Sequence, residues 1–215
     1  MDLLEAKQRV AEALGMDLPE ALPPATASPV ASEVRHSPAL SLAARPGDGG
    51  IRTRKVAILV ADGAEGEGIA AVVTTLVEQG AVPRLVGARL GACVAAGGQK
   101  FEADATLENT PGFLFDALVL PDGLQAVEAL AADGHTMDFI KDCYRHCKTI
   151  LALGAAGSLL AQAGVPDTLP DGSADPGLIR AAAADPKAAA GATADFIAAL
   201  GKHRHYARET DPPVV

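Results

Sequence analysis

The stretch with the most to say about chemistry is Thr149–Leu160, TILALGAAGSLL. An apolar run of strand length, Ile150 to Leu153, meets Gly154, passes through the small residues Ala155 to Gly157 and continues as a helical pattern from Ser158. It reads as a buried strand breaking sharply into a helix. In many α/β enzymes such an elbow carries a nucleophile, because the tight turn lifts one side chain clear of the backbone. Here the apex is Gly154, which has no side chain to offer, so the expected seat of covalent chemistry is empty. Ser158, one turn further on, reads as an ordinary helix residue and not as a displaced nucleophile.

The other reactive side chains are scattered. Glu65 lies in the loop ADGAEGEG and is either an acid aimed at the elbow or a charge serving the dipole of the helix that follows. The loop has the glycines of a phosphate turn without the dinucleotide spacing, and Glu65 and Glu67 would repel a pyrophosphate, so nucleotide binding is not expected. Cys143 and Cys147, four apart, would share one face of a helix with His146 nearby. They make half a tetrahedral metal site and no second pair has the matching spacing, so no metal is expected. Cys93 is the one thiol outside that pair and the one candidate for a displaced nucleophile. His203 and His205, beside Arg204 and Arg208, read as the solvated, locally basic last turn of the final helix.

These residues need elements to hold them. KVAILVA, Lys55–Ala61, is a near-continuous apolar run of the kind buried on both faces of a parallel sheet. A helix follows from Glu65 to Gln79, with Ile69, Val72, Val73, Leu76 and Val77 as its inner face and Gly80 as its stop. A second strand, Pro83–Ala88, short strands and turns over Gly91–Glu108, and a third strand, Asp116–Pro121, come next. Helices are predicted from Leu124 and over His135–His146, then the elbow with a helix ending at Gly164, an edge strand over Gly177–Ala182 and a last helix over Ala188–His205. Strand and helix alternate, which predicts a doubly wound, mainly parallel α/β sheet with helices on both faces. Ligands of such a sheet bind beyond the carboxyl ends of the strands, so the loops Ala61–Gly68, Pro121–Gly123 and Gly154–Gly157 are where a site is expected.

Before this domain, residues 2–14 form a short amphipathic helix pattern with Leu3, Leu4, Val10 and Leu14 on one side. The stretch Pro19–Gly50 is rich in Pro, Ala, Ser and Gly and reads as a linker or an arm, with SPALSLAA, Ser37–Ala44, as its one apolar island. The expected division is therefore 1–50, helix and arm, and 51–215, the α/β domain. Over the 215 residues a formal charge of −9 argues against nucleic acid or an anionic membrane as partner, and apolar runs of about eight residues are too short to span a bilayer. With no Trp, five Phe and two Tyr there is no stacking platform for single strands. Three cysteines suit a reducing cytosol better than a disulfide framework, so a cytoplasmic location is expected.

RKVAILVADGAEGEGI, FDALVLPDG and the elbow resemble the class I glutamine amidotransferase-like superfamily, in particular PfpI-type intracellular peptidases and deglycases. The resemblance implies a flavodoxin-like fold and places the supporting acid on Glu65, the nucleophilic Cys on Gly154 and its following His on Ala155. The acid is kept; the nucleophile and the His are not. The order of further segments, AKQRVAEALG, SPALSL, RKVAILVADG, GLIRAAAADP and AALGKHRHYAR, resembles the C-terminal part of large-subunit haem catalases of the hydroperoxidase II type, over essentially the whole chain.

That second resemblance implies a non-catalytic accessory domain on the outside of a homotetramer, stabilising a parent that decomposes hydrogen peroxide to water and oxygen, and such domains have been credited with chaperone-like activity toward unfolded client proteins. Haem would belong to the parent's other domain, and none of its ligands carries over to this chain. The competing expectations are a stand-alone PfpI-like hydrolase or deglycase working through Cys93, and a holdase working through the apolar residues of 1–50.

Overall fold

The computed structural model describes residues 3–23, 49–181 and 186–208, the side chains of Leu3 and 186–189 excepted. The chain forms two units, 1–44 and 45–215. In the first, helix α1 spans Leu3–Ala13. Ala11 is buried, while Leu4, Val10 and Leu14 lie exposed. The island Ser37–Ala44 and most of the Pro-rich stretch fall outside the described residues.

The second unit runs β1 Lys55–Leu59, α2 Gly66–Glu78, β2 Val82–Gly87, β3 Gly91–Val94, β4 Lys100–Ala103, β5 Ala105–Thr106, β6 Ala117–Leu120, α3 Leu124–Ala131, α4 Gly134–Arg145, β7 Thr149–Leu153, α5 Gly157–Gln162, β8 Leu178–Ala181 and α6 Pro186–Gly201. Six strands form one sheet in the order β5-β2-β1-β6-β7-β8, and every pair is parallel. β3 and β4 make a separate antiparallel hairpin. The order reverses between β1 and β6, as a doubly wound sheet requires. The predicted edge strand is β8, parallel to β7 with Leu151 opposite Ile179.

The period of two along each strand sorts its side chains between two cores. Ala57, Leu59, Leu118, Leu120, Ile150 and Ala152 face α3, α4 and α5 through Leu130, Phe139, Ile140 and Leu159. Val56, Ile58, Val119, Leu151 and Leu153 face α2 and α6 through Ile69, Val72, Leu76, Phe196 and Leu200. Val77, expected on the inner face of α2, is 57% exposed. It stands about 100° around the helix from the stripe that Ile69, Val72 and Leu76 define.

The C-terminal segment departs most from expectation. α6 stops at Gly201, so His203 and His205 are not in a last helical turn; His203 has φ 68° and Tyr206–Arg208 form a 3-10 turn. The segment is not a solvated basic end. Arg208 is 2% exposed, and Asp175, in the loop before β8, is 7% exposed. Arg208 Nε donates to Asp175 Oδ2 at 2.5 Å, Nη2 to Oδ1 at 3.1 Å and Nη1 to the Lys148 carbonyl oxygen at 2.6 Å. The guanidinium also lies 4.5 Å from the centroid of the Tyr144 ring.

His205 is buried beside this pair, its Nε2 sharing a hydrogen bond of 3.0 Å with Thr149 Oγ1 and its N–H donating to the Cys147 carbonyl. Lys148, also buried, donates from Nζ to the Gly112 carbonyl at 2.9 Å, and desolvation pulls its pKa down. Gly177 admits the cluster, because a Cβ there would collide with the His205 ring and the Arg208 guanidinium. The tail turns inward where the Lys148 carbonyl and the Asp175 carboxylate, before β7 and β8, accept from the Arg208 guanidinium.

Two outcomes follow from this cluster. Arg208→Met leaves Asp175 charged and buried without its partner, a loss of about 3–5 kcal/mol, and should lower Tm on the order of 10 °C. The double change with Asp175→Asn should cost less than the sum of the single changes, which a thermal double-mutant cycle reads directly.

Desolvation, and after it the charge of Arg208, pushes the His205 pKa down to about 4 from its ordinary value near 6.5. Below pH 6.5 the unfolded chain then takes up a proton that the folded chain refuses, so stability is full above 6.5 and falls as pH drops toward 4. His203, lowered mainly by desolvation and also facing Arg204, Arg54 and Asp116, adds in the same direction. Melting between pH 7 and 5 should show this decline, and His205→Gln should flatten it.

Candidate functional site

Three loops meet beyond the carboxyl ends of β1, β6 and β7. The elbow forms as the sequence predicts. β7 is buried along its whole length, and at its end Gly154 turns to φ +50° and opens a 3-10 turn, Gly154–Ala156, that runs into α5. Parallel pairing of β6 with β7 brings the loop after Leu120 alongside, so Pro121, Asp122 and Gly123 border the apex.

Asp122 is the residue that sequence reasoning missed. Its Oδ1 accepts the Gly123 N–H at 2.7 Å and the Ala155 N–H at 2.9 Å. A Cβ placed on Gly154 would fall on the Asp122 carboxylate, whose three terminal atoms are its nearest neighbours. The apex is therefore filled by a side chain from the next strand's loop. The signal was the Asp-Gly step closing FDALVLPDG, which shows its meaning only when β6 is known to lie next to β7.

Glu65 does not act toward the elbow. It is the N-cap of α2, with Oε1 accepting the Glu67 N–H at 2.9 Å and Oε2 the Gly68 N–H at 2.6 Å. Both carboxylate oxygens are occupied by the helix start, as the dipole reading expected. The same bonds take two of the amides a phosphate loop would need. Its own N–H donates to the Asp122 carbonyl at 2.9 Å, which ties the first loop to the second. Gly123, at φ +112°, allows that approach, since a Cβ there would collide with the backbone of Gly63 and crowd Ala64 and Glu65.

Ala155, the position of the implied His, donates its N–H to Asp122, and its carbonyl accepts the Ser158 hydroxyl at 2.9 Å and the Gly157 N–H. The Ser158 hydroxyl is thus bonded back into its own turn, and the residue is exposed.

The thiols are elsewhere. Cys93 sits on β3 of the hairpin, which closes over the first loop through Asp62 Oδ1 to the Val94 N–H, 2.8 Å, and Gly63 N–H to the Val94 carbonyl, 2.8 Å. Partial burial and the nearby Asp62 push its thiol pKa up, the wrong direction for a nucleophile. Cys143 is fully buried in α4, its Sγ near the Gly112 carbonyl, and desolvation raises it to about 12. Cys147 lies beyond the end of α4 at φ +55°, so the two thiols do not share a helix face; the helix stops at Arg145 to admit Lys148 to the interior. His146 caps α4 and is exposed.

Among the described residues, no three His, Cys, Asp or Glu side chains are placed to hold a metal ion, and no helix is long and apolar enough to cross a membrane. Among the described residues, two buried side chains of types that ligate haem iron are engaged elsewhere: His205 with Thr149 and Tyr144 beneath Arg208.

Known proteins give this geometry its context. Residues 52–210 match the C-terminal domain found in long catalases. The chain is 33% identical over 204 residues to Catalase C of Rhizobium meliloti, covering 94% of this chain and 27% of that protein. It is 32% identical over 179 residues to Catalase HPII of Mycobacterium avium, covering 81% and 25%. It thus spans about a quarter of the length of the curated relatives it matches.

Among solved structures, Drosophila melanogaster DJ-1beta superposes with a TM-score of 0.58 at 20% identity, covering 70% of this chain and 94% of that one. A two-domain Anabaena variabilis protein with DJ-1/ThiJ/PfpI-like and ferritin-like domains gives 0.62 at 20%, covering 69% and 50%. These likenesses show the fold, the one that flavodoxin-like resemblance implied. The domain match over residues 52–210, together with 33% identity across 94% of the chain to Catalase C, decides the family: this chain belongs to the C-terminal domains of long catalases.

Proposed function

We propose that the chain serves as a non-catalytic accessory domain of a large haem catalase, stabilising an enzyme that decomposes hydrogen peroxide to water and oxygen. The observation that carries this reading is the apex of the elbow, where Gly154 has no side chain and the Asp122 carboxylate takes its place. A hydrolase or deglycase of this fold needs a thiolate there, and Glu65 and Ala155 supply neither a base nor a substitute. The Cys93 alternative is disfavoured by the raised pKa of that thiol.

Residues 1–50 have a part in this. The Rhizobium meliloti match takes in 94% of the chain, whereas the domain type begins at residue 52, so the N-terminal segment is shared with whole catalases and not only with their last domain. Its α1 presents Leu4 and Val10 to solvent, and Leu14 just beyond the helix is exposed as well. A helix of 11 residues with an uncovered apolar face needs a surface to rest on. The preceding, haem-bearing part of the catalase, assembled as a homotetramer, supplies one.

The test is on the purified chain. It should release no oxygen from hydrogen peroxide, develop no Soret band on titration with haemin, and leave acyl and glycated substrates unchanged. Oxygen release, saturable haem uptake, or hydrolytic turnover that disappears in Glu65→Gln would each overturn the reading.

A further inference from the structure

The Gly123 and Ala155 N–H groups meet on a single oxygen, Asp122 Oδ1, at 2.7 and 2.9 Å. These are the distances at which paired amides hold the oxyanion of an acyl-transfer intermediate. Their places in the fold are also those of such a pair. One belongs to the residue after the apex of a strand-turn-helix elbow, and the other to a loop leaving a neighbouring strand. A second, steric observation points to the same spot, since a Cβ on Gly154 would coincide with the carboxylate that the amides hold.

We propose that Asp122 is the internal ligand of a retained oxyanion hole, silencing the elbow a second time beyond the missing side chain, and that the hole, once emptied, accepts a small carboxylate. Two consequences separate this from a carboxylate that merely caps its own loop. Restoring a thiol at residue 154 cannot by itself restore a nucleophile. The new Cβ would displace the carboxylate, and a carboxylate left beside the sulfur opposes its ionisation. Emptying the hole, by contrast, leaves two aligned donors without an acceptor at a half-exposed position, where a free anion can replace the lost one.

The test uses the full chain in a Cys93→Ser background, which removes the half-exposed native thiol; Cys143 and Cys147 are buried. Asp122→Ala should melt several degrees below its parent, and sodium formate should raise its Tm saturably relative to sodium chloride at equal ionic strength. Asp122→Asn, whose amide oxygen still meets both N–H groups, should show no such response, nor should the parent. If Asp122→Ala does not fold, formate-dependent recovery of folded protein is the same readout.

In parallel, Gly154→Cys combined with Asp122→Ala should react with iodoacetamide at pH 7 at least about tenfold faster than Gly154→Cys alone. A formate response no larger in Asp122→Ala than in the parent, or a folded Gly154→Cys alkylated as fast as the double variant, would overturn the proposal. Neither measurement involves peroxide or haem, so its failure would leave the catalase reading standing.

Discussion

Strand β7 is buried at every residue, flanked by β6 and β8 and covered on both faces. A strand so placed leaves backbone and flanking polar groups at its ends that pair within the protein. At its start, Lys148 and Thr149 draw in Gly112, His205, Arg208 and Asp175. At its finish, the Ala155 N–H draws in Asp122. The two polar features of the domain answer one requirement, set by the burial of a single strand.

The two ends answer it with different chemistry. At the start the solution is ionic, because a guanidinium is the group that can satisfy a carboxylate through a fork and a carbonyl at once. Removing either partner is costly because it leaves the other's charge buried without its partner. At the finish the solution is a carboxylate on two amides, possible only because residue 154 has no Cβ to occupy the space. The lack of a Cβ at Gly154 makes room for the Asp122 carboxylate.

Family membership fits this economy. This chain belongs to the C-terminal domains of long catalases and has the fold of DJ-1 and PfpI-like structures, and its elbow and first-loop acid both serve the fold. Glu65, in the position implied for a catalytic acid, caps α2. Gly154, in the position implied for the nucleophile, keeps the positive φ of the apex without its side chain. The turn and the cap each stabilise the fold without a substrate.

The apolar runs from Lys55, Ala117 and Thr149, the alternation of strand and helix, and the glycine at the apex were legible in the amino-acid order. Local periodicity and backbone preference act between neighbours in the chain and need no tertiary contact to be read. Asp122, and the cluster around Arg208 and Asp175, were not legible. Their partners lie 33 residues away in each case, Ala155 for Asp122 and Asp175 for Arg208. A carboxylate in a loop and an arginine near a terminus look solvated until folding closes the space around them. What the sequence determined alone was the scaffold and the missing side chain; which carboxylate fills the gap and which basic residues are buried was decided by the parallel packing of β6, β7 and β8, since burial is a property of the assembled layers and not of any segment.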